Sequence, residues 1–339
     1  MAFLRVKQRR GRTYAYLVAS EWDRGTGRPR QKVIQYLGPV DRLRTDRIPE
    51  AHRTAPVLAS IERLREESAG RQRAAADAPR EGFLRAILAG DRVAAGWIGR
   101  AAHRNLGLSG LFHLVIAPAM EQVGADWEAG RLSVSQEHLA TQVATEIVQE
   151  ANSRIRIPAS GGEVVLCVPE GETHILALKM AEGLLRARGL VPVNVTGSAP
   201  ASSVVSFVQQ RRPAAVFVSV TGEECLPKAR QLLGALRSRC PATPAFVGGR
   251  AVAAVPPGTF AAGVEEVRES LGSFLDHRPD GGLAPLAVRA SNPASPPGPV
   301  VSPSRRPRPG ASPRGRRAAR RPRSRGTGPG APRPSAPEG

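Results

Sequence analysis

Val164-Val165-Leu166-Cys167-Val168 runs directly into Pro169-Glu170-Gly171-Glu172-Thr173-His174, and a helical pattern follows from Ile175 to Arg188. A short apolar run rich in β-branched residues reads as a buried strand. Pro169 and Gly171 end it, and a polar loop presents Glu172 and His174. A histidine at the carboxyl end of the first strand of a doubly wound sheet faces the crevice where such folds hold ligands. A carboxylate two residues earlier can hydrogen-bond one ring nitrogen, fixing the tautomer and raising the basicity of the nitrogen left for a metal.

The chain continues as strand 191–195, helix 201–211, strand 215–219, helix 225–239 and strand 245–247, then a weaker strand near 258–261 and a helix over about 263–272. Strands alternating with helices predict a parallel sheet with right-handed crossovers. The fold class is therefore α/β, with residues 160–275 forming a flavodoxin-like or Rossmann-like unit. No Gly-x-Gly-x-x-Gly follows the first strand and there is no P-loop, which disfavours a nicotinamide, flavin or nucleoside triphosphate site. Two strand ends carry small residues instead, Ser219-Val220-Thr221-Gly222 and Gly248-Gly249. Paired glycines let backbone approach a ligand closely, and small hydroxyls can bond its polar atoms. Ordinary turn chemistry accounts for the same residues.

Upstream, residues 82–155 read as a bundle of four helices with short connections. Asp91 is the expected N-cap of a helix to about Asn105, with Gly107 as its stop. Leu111 to Val123 reads as a core helix that Pro118 should bend or break. Ser133 with Gln136 predicts a capping box for a helix through about Ala151. That helix carries Glu137 and His138 in its first turn, with nine residues between Trp127 and Glu137. Taken alone, such a tryptophan is usually core and such a pair usually lies on a surface.

Glu172-x-His174 resembles the Asp/Glu-x-His-x-x-Gly motif of cobalamin-binding domains, with Ala177 where the motif has glycine. The resemblance implies that His174 replaces the cofactor's own base as lower ligand to cobalt. It also implies that Ser219, Thr221, Gly248 and Gly249 line the slot for the dimethylbenzimidazole tail. Trp127-x9-Glu137-His138 resembles the helical cap of light-sensing cobalamin regulators related to MerR proteins (the CarH type). In that family the tryptophan packs against the adenosyl group and the Glu and His contact the same upper face. The implied cofactor is cobalamin, with adenosylcobalamin favoured over methylcobalamin. The likeness spans about residues 82 to 275.

Residues 1–50 read as a basic β unit: strands at Phe3–Arg9, Thr13–Val18 and Gln31–Leu37, with a hairpin loop from Asp23 to Arg30. Gly11-x-Thr13-Tyr14, Tyr16-Leu17-Val18 and Gln31-Lys32-Val33-Ile34-Gln35-Tyr36-Leu37-Gly38 resemble the N-terminal segment of insertion-sequence transposases, although no catalytic acidic region follows. The resemblance implies at most a nucleic-acid contact, through Arg5, Lys7, Arg9, Arg10, Arg12, Arg28, Arg30 and Lys32; a solvated basic face is the alternative. No helix-turn-helix of the kind that precedes the cobalamin module in the MerR-type regulators is visible. Residues 51–81 read as a short helix, Val57 to Arg65, and a linker. Residues 278–339 are rich in Pro, Gly, Ser and Arg, cannot bury enough surface to offset ordering entropy, and are expected to be disordered.

The formal net charge of +20 suggests an anionic partner such as nucleic acid, met by the N-terminal unit or by the Arg-rich tail, although low-complexity drift is the slightly favoured reading of the tail. No apolar run suggests a bilayer span and no signal peptide is evident. Three scattered cysteines, Cys167, Cys225 and Cys240, fit a reducing cytoplasm. The leading expectation is a sensor rather than an enzyme, with cobalamin between cap and sheet. In the family it resembles, light breaks the Co–C bond, the cap shifts, and oligomer and DNA binding change, and the resemblance implies a similar switch here. The alternative is a corrinoid carrier for methyl transfer with a separate methyltransferase, which would need its upper face open. A third reading, supported by Ala177, is a module that binds nothing.

Overall fold

The computed structural model describes residues 2–9, 12–25, 27–40, 43–156, 161–195 and 197–277. The expected tail, 278–339, lies outside the described residues. Three bodies follow one another along the chain, and each is built around its own apolar cluster or shares one with its neighbour.

The N-terminal body is an antiparallel sheet of β1 (Ala2–Arg9), β2 (Arg12–Asp23) and β3 (Arg28–Pro39), in that order. The expected hairpin loop is shorter than its glycines and proline suggested: β2 and β3 stay paired out to Asp23 and Arg28. One face packs Ala15, Leu17 and Leu37 with Val40, Leu43 and Ile48 against Val57 and Ile61 of the following helix. Arg65 fastens the intervening loop by donating from Nε to the Leu43 carbonyl at 3.0 Å.

That helix, α1, runs unbroken over Ala55–Leu88, 34 residues and so about 51 Å. The expected short helix and linker are therefore one element. None of the residues from Glu62 to Ala75 is buried. Little there asks for a partner, which read as linker, but Ala, Arg and Glu are strong helix formers. Both ends are anchored, Val57 and Ile61 on the sheet and Ala76, Phe83 and Ile87 in the next body. Pro79 gives up one backbone bond inside the helix without ending it.

The second body comprises the end of α1, α2 (Arg92–Gly110), α3 (Ala117–Glu128) and α4 (Val134–Ser153). Asp91 caps α2 as expected, its Oδ1 accepting from the Ala94 N–H at 2.9 Å. Gly107, at φ 75° and ψ 177°, breaks the helical path. Pro118 does not break the next helix. A π-helical turn over Leu111–Ile116 takes up the disturbance, the Ala117 N–H donating to Phe112 O, and Pro118 follows at once in α3, so the helical path continues although Pro118 gives up its own donor. The Ser133–Gln136 capping box forms in both directions, at 3.3 and 2.9 Å. Arg92–Glu128 taken together is long and apolar enough to cross a membrane by length and composition, contrary to the expectation of no such run. It gains that length by joining helices across Gly107, and its Leu111, Phe112, Val115, Ile116 and Val123 are core residues of this body.

The third body is a five-stranded parallel sheet in the order β5-β4-β6-β7-β8. β4 (Glu163–Cys167), β5 (Val191–Val195), β6 (Ala215–Ser219) and β7 (Ala245–Gly248) lie where the apolar runs placed them. The last pair does not. β8 is Val264–Val267 and α9 is Leu271–His277, displaced from the expected strand near 258–261 and helix over 263–272. Val264-Glu265-Glu266-Val267 is charged because it forms an edge strand, and Phe260 is buried in a loop. A short helix α8, Arg250–Ala254, was not anticipated.

Successive residues of β4 face opposite layers, as strand geometry requires. Val164, Leu166 and Val168 join the cluster of α5 (Leu176–Arg186) and the helical body. Val165 and Cys167 join that of α6 (Ala201–Arg211) and α7 (Leu226–Arg239). Helical body and sheet thus share one core. Asn152 of α4 ties them further, its Nδ2 donating to the Lys179 carbonyl at 2.8 Å.

Candidate functional site

The order β5-β4-β6 places the direction change of the chain between β4 and β6, where open α/β sheets form a crevice beyond their carboxyl ends. The loop after β4 crosses this point. Gly171 takes φ 91°, a conformation side chains disfavour, and turns the loop so that Glu172 points in and His174 points out. The Glu172 side chain is fully buried, whereas that of His174 is 54% exposed.

Glu172 is satisfied on both oxygens. Oε1 accepts from the His174 N–H at 2.9 Å and lies 2.6 Å from His174 Nδ1. Oε2 accepts from the backbone N–H groups of Thr221 at 2.8 Å and Gly222 at 2.9 Å, at the end of β6. Burial pushes this carboxyl's pKa up, but the N–H groups of Gly222, His174 and Thr221 and the imidazole together outweigh it and hold the pKa below the usual value. The group is an ionised carboxylate at neutral pH and can only accept. Nδ1 therefore donates to it, which leaves Nε2 as the ring nitrogen available to a ligand.

The other strand ends converge here. Ser219 and Gly248 are register partners across β6 and β7, and the Val220 N–H donates to Gly248 O at 2.9 Å. Gly249, at φ 119°, lies so close to this segment that a Cβ would stand 2.2 Å from the Val220 carbonyl oxygen. Glu172, His174, Ser219, Thr221, Gly248 and Gly249 thus occupy one rim. Sequence reasoning missed Gly222, whose N–H completes the carboxylate's shell, and Ser198 after β5, whose Oγ accepts from Gly171 N–H. Only the glycine and serine content of those strand ends hinted at them.

Trp127 sits in the last turn of α3 and is 45% exposed. Its neighbour Glu128 reaches Arg250, the residue after Gly249, at 4.0 Å. The end of α3 that carries Trp127 is therefore within side-chain reach of the residue that follows Gly249. Glu137 and His138 stand on α4, where Glu137 Oε1 accepts from Thr141 Oγ1 at 2.7 Å and Oε2 lies 2.6 Å from His138 Nδ1. These two form a pair of their own, and none of their hydrogen bonds reaches the sheet.

The donor set suits a metal that arrives in its own macrocycle. Among the described residues no trio of His, Cys, Asp or Glu is grouped to hold a bare ion. His174 instead offers one oriented nitrogen, enough for a single axial position. The cysteines are buried packing residues, and burial pushes the Cys167 pKa up to about 12.

Comparison with known proteins places two family matches on the chain, both N-terminal to the parallel sheet. Residues 79–151 match the B12 binding domain family, and residues 4–79 match the N-terminal domain of the IS1634 family transposases. The two matches meet at Pro79, inside α1. Over 141 residues the chain is 30% identical to the HTH-type transcriptional repressor CarH of Myxococcus xanthus, an alignment covering 41% of this chain and 47% of that protein. The chain thus spans about half the length of that curated relative. Among solved structures it is similar to the monomethylamine corrinoid protein of Methanosarcina barkeri, with TM-score 0.47 and 15% identity over 61% of this chain and 96% of the other. It is also similar to the methanol:cobalamin methyltransferase complex of the same organism, with TM-score 0.30 and 21% identity over 59% and 79%. The resemblances to cobalamin-binding regulators and to transposase N-termini both stand.

Proposed function

We propose that this chain is a non-enzymatic, cobalamin-binding regulator that holds a corrinoid base-off between the helical body and the sheet, with His174 as lower axial ligand. The observation that carries this reading is the buried Glu172 carboxylate, which binds His174 Nδ1 and, through Thr221 and Gly222, fixes that histidine to the end of β6. Cobalamin supplies an upper bond whose state can differ. The protein supplies a rigid lower nitrogen, a rim of small residues at Ser219, Thr221, Gly248 and Gly249 for the nucleotide tail, and an adjustable upper wall.

In this reading Trp127, Glu137 and His138 report the upper ligand. The wall is joined to the rim near Trp127 by the exposed Glu128–Arg250 pair, and exposed pairs contribute only about 0–1 kcal/mol. That contact gives the end of α3 little hold on the rim, so this corner can adjust locally while the shared core of helical body and sheet stays packed, as a two-state switch at the upper wall requires. The output is the basic N-terminal body, acting on nucleic acid, with self-association as a further consequence. The form that best uses the exposed tryptophan is adenosylcobalamin.

Absorption spectra of the full chain with adenosylcobalamin, in the dark and after green light, test the reading. The wild-type protein is expected to give a base-off, histidine-ligated spectrum that illumination changes irreversibly. His174→Ala is expected to lose that spectrum and to weaken binding by about 10-fold or more, since even outer partners of metal ligands cost about 10–100-fold. An unchanged spectrum in His174→Ala would remove the lower-ligand assignment. Preference for methylcobalamin without any light response would favour the methyl-carrier reading.

A further inference from the structure

The open face of the N-terminal sheet carries all three tyrosines of the protein. In antiparallel strands, directly opposed residues share a face. The register pairs Arg5 with Tyr16, Lys7 with Tyr14, and Tyr16 with Tyr36. The rings cluster accordingly, Tyr16 to Tyr36 at 5.2 Å and Tyr14 to Tyr36 at 6.2 Å between centroids. Phe3 lies two residues from Arg5 along β1, on the same face, and is 38% exposed, while Tyr36 is 49% exposed. Ala15 and Leu17 point the other way, into the core against α1. Tyr14 and Tyr16 are half-buried and Tyr36 exposed, and an aromatic cluster left open to solvent on a sheet already stabilised from its other side has no structural need to be there.

Charge says what covers it. Residues 1–40 hold nine Lys and Arg against two acidic residues, Glu21 and Asp23. The basic groups stand among the rings: the Lys7 ammonium lies 5.5 Å from the Tyr16 centroid, and Arg5 hydrogen-bonds Gln31. Rings flanked by cations fit a polyanion whose own flat groups are free to stack. A duplex keeps its bases stacked inside and offers this face only phosphate, whereas a single strand offers both.

We infer that this face binds single-stranded nucleic acid, with bases stacked on Tyr14, Tyr16 and Tyr36 and phosphates met by Arg5, Lys7 and the surrounding arginines. The inference deepens the proposed output role by naming the partner's chemistry. It rests on residues remote from the cobalamin site.

The test uses the full chain without cofactor and a fluorescent 20-mer of thymidylate, with U20 and a 20-base-pair duplex as competitors, at several salt concentrations. The single strands are expected to compete far better than the duplex. Tyr16→Ala and Tyr36→Ala are each expected to weaken binding by about 5- to 100-fold, the range of base–aromatic stacking, and Tyr16→Phe and Tyr36→Phe to retain it. A 20-mer carrying 5-iodouracil is expected to cross-link wild-type protein within the tryptic peptides Thr13–Arg24 or Val33–Arg42, a readout that does not depend on any variant folding. Cross-links confined to the Arg-rich residues 302–339, duplex preferred over single strand, or alanine variants that bind like wild type would each overturn the inference. Cobalamin spectra of the same variants are expected to match wild type, so failure of one reading leaves the other intact.

Discussion

Glu172→Ala is expected to lower stability by about 3 kcal/mol or more and to weaken cobalamin binding by about 10- to 100-fold. The carboxylate has no exposed surface and accepts from three backbone N–H groups and one imidazole. Alanine leaves those donors facing a small void. A buried donor without a partner costs about 1–3 kcal/mol, offset where water enters. The loops after β4 and β6, which this one side chain joins, lose their common anchor, and His174 loses its tautomer and direction together. Glu172→Gln separates the effects. It keeps an acceptor but presents an amide N–H to groups that themselves donate, so it should fold better than alanine while still misplacing His174. Thermal melts and cobalamin titrations of both variants check this, and wild-type behaviour in Glu172→Ala would show that the carboxylate does not organise the rim. The lowered folded pKa gives the matching pH dependence. These bonds contribute in full above the carboxyl's unfolded pKa and are lost as pH falls through the lower folded one.

Gly249→Ala is expected to be nearly as damaging. The position combines φ 119° with a prospective Cβ–oxygen distance of 2.2 Å to a backbone carbonyl, which has no rotamer to escape into. Backbone strain of about 1–3 kcal/mol and overpacking of about 1–3 kcal/mol act together. A loss of about 3 kcal/mol corresponds to a melting temperature lower by roughly 6–12 °C. Gly234→Ala is the control: it lies within α7 with nothing within 4 Å of a new Cβ, and should stabilise by about 0.5–1 kcal/mol. If both variants melt alike, the close approach at Gly249 is not the constraint described.

Much of the rim was legible because its signals are local. Strand runs such as Val164–Val168 and Ala215–Ser219 are apolar, bounded by turn residues, and separated by helical patterns. Glu172 and His174 are two residues apart, so their bond follows from one loop. What escaped was non-local. Nothing near Glu172 indicates that its second oxygen meets Thr221 and Gly222, about fifty residues away. The charged edge strand β8 hid for a related reason: its polarity reflects a position at the sheet margin, which only the assembled order reveals. The continuity of α1 escaped because burial is the usual sign of a helix, and its middle has none.

That continuity sets an angle as well as a distance. A helix advances about 100° per residue, so one residue added between Glu62 and Ala75 would turn the tyrosine face by about 100° around the α1 axis while separating the bodies by only about 1.5 Å more. Seven added residues would bring it back to within about 20°. If the helical body steers the N-terminal sheet toward a target, output should rise and fall with the number of inserted residues rather than decline steadily with length. The linkage is a crankshaft, and the residue count between its two bearings fixes where the output points.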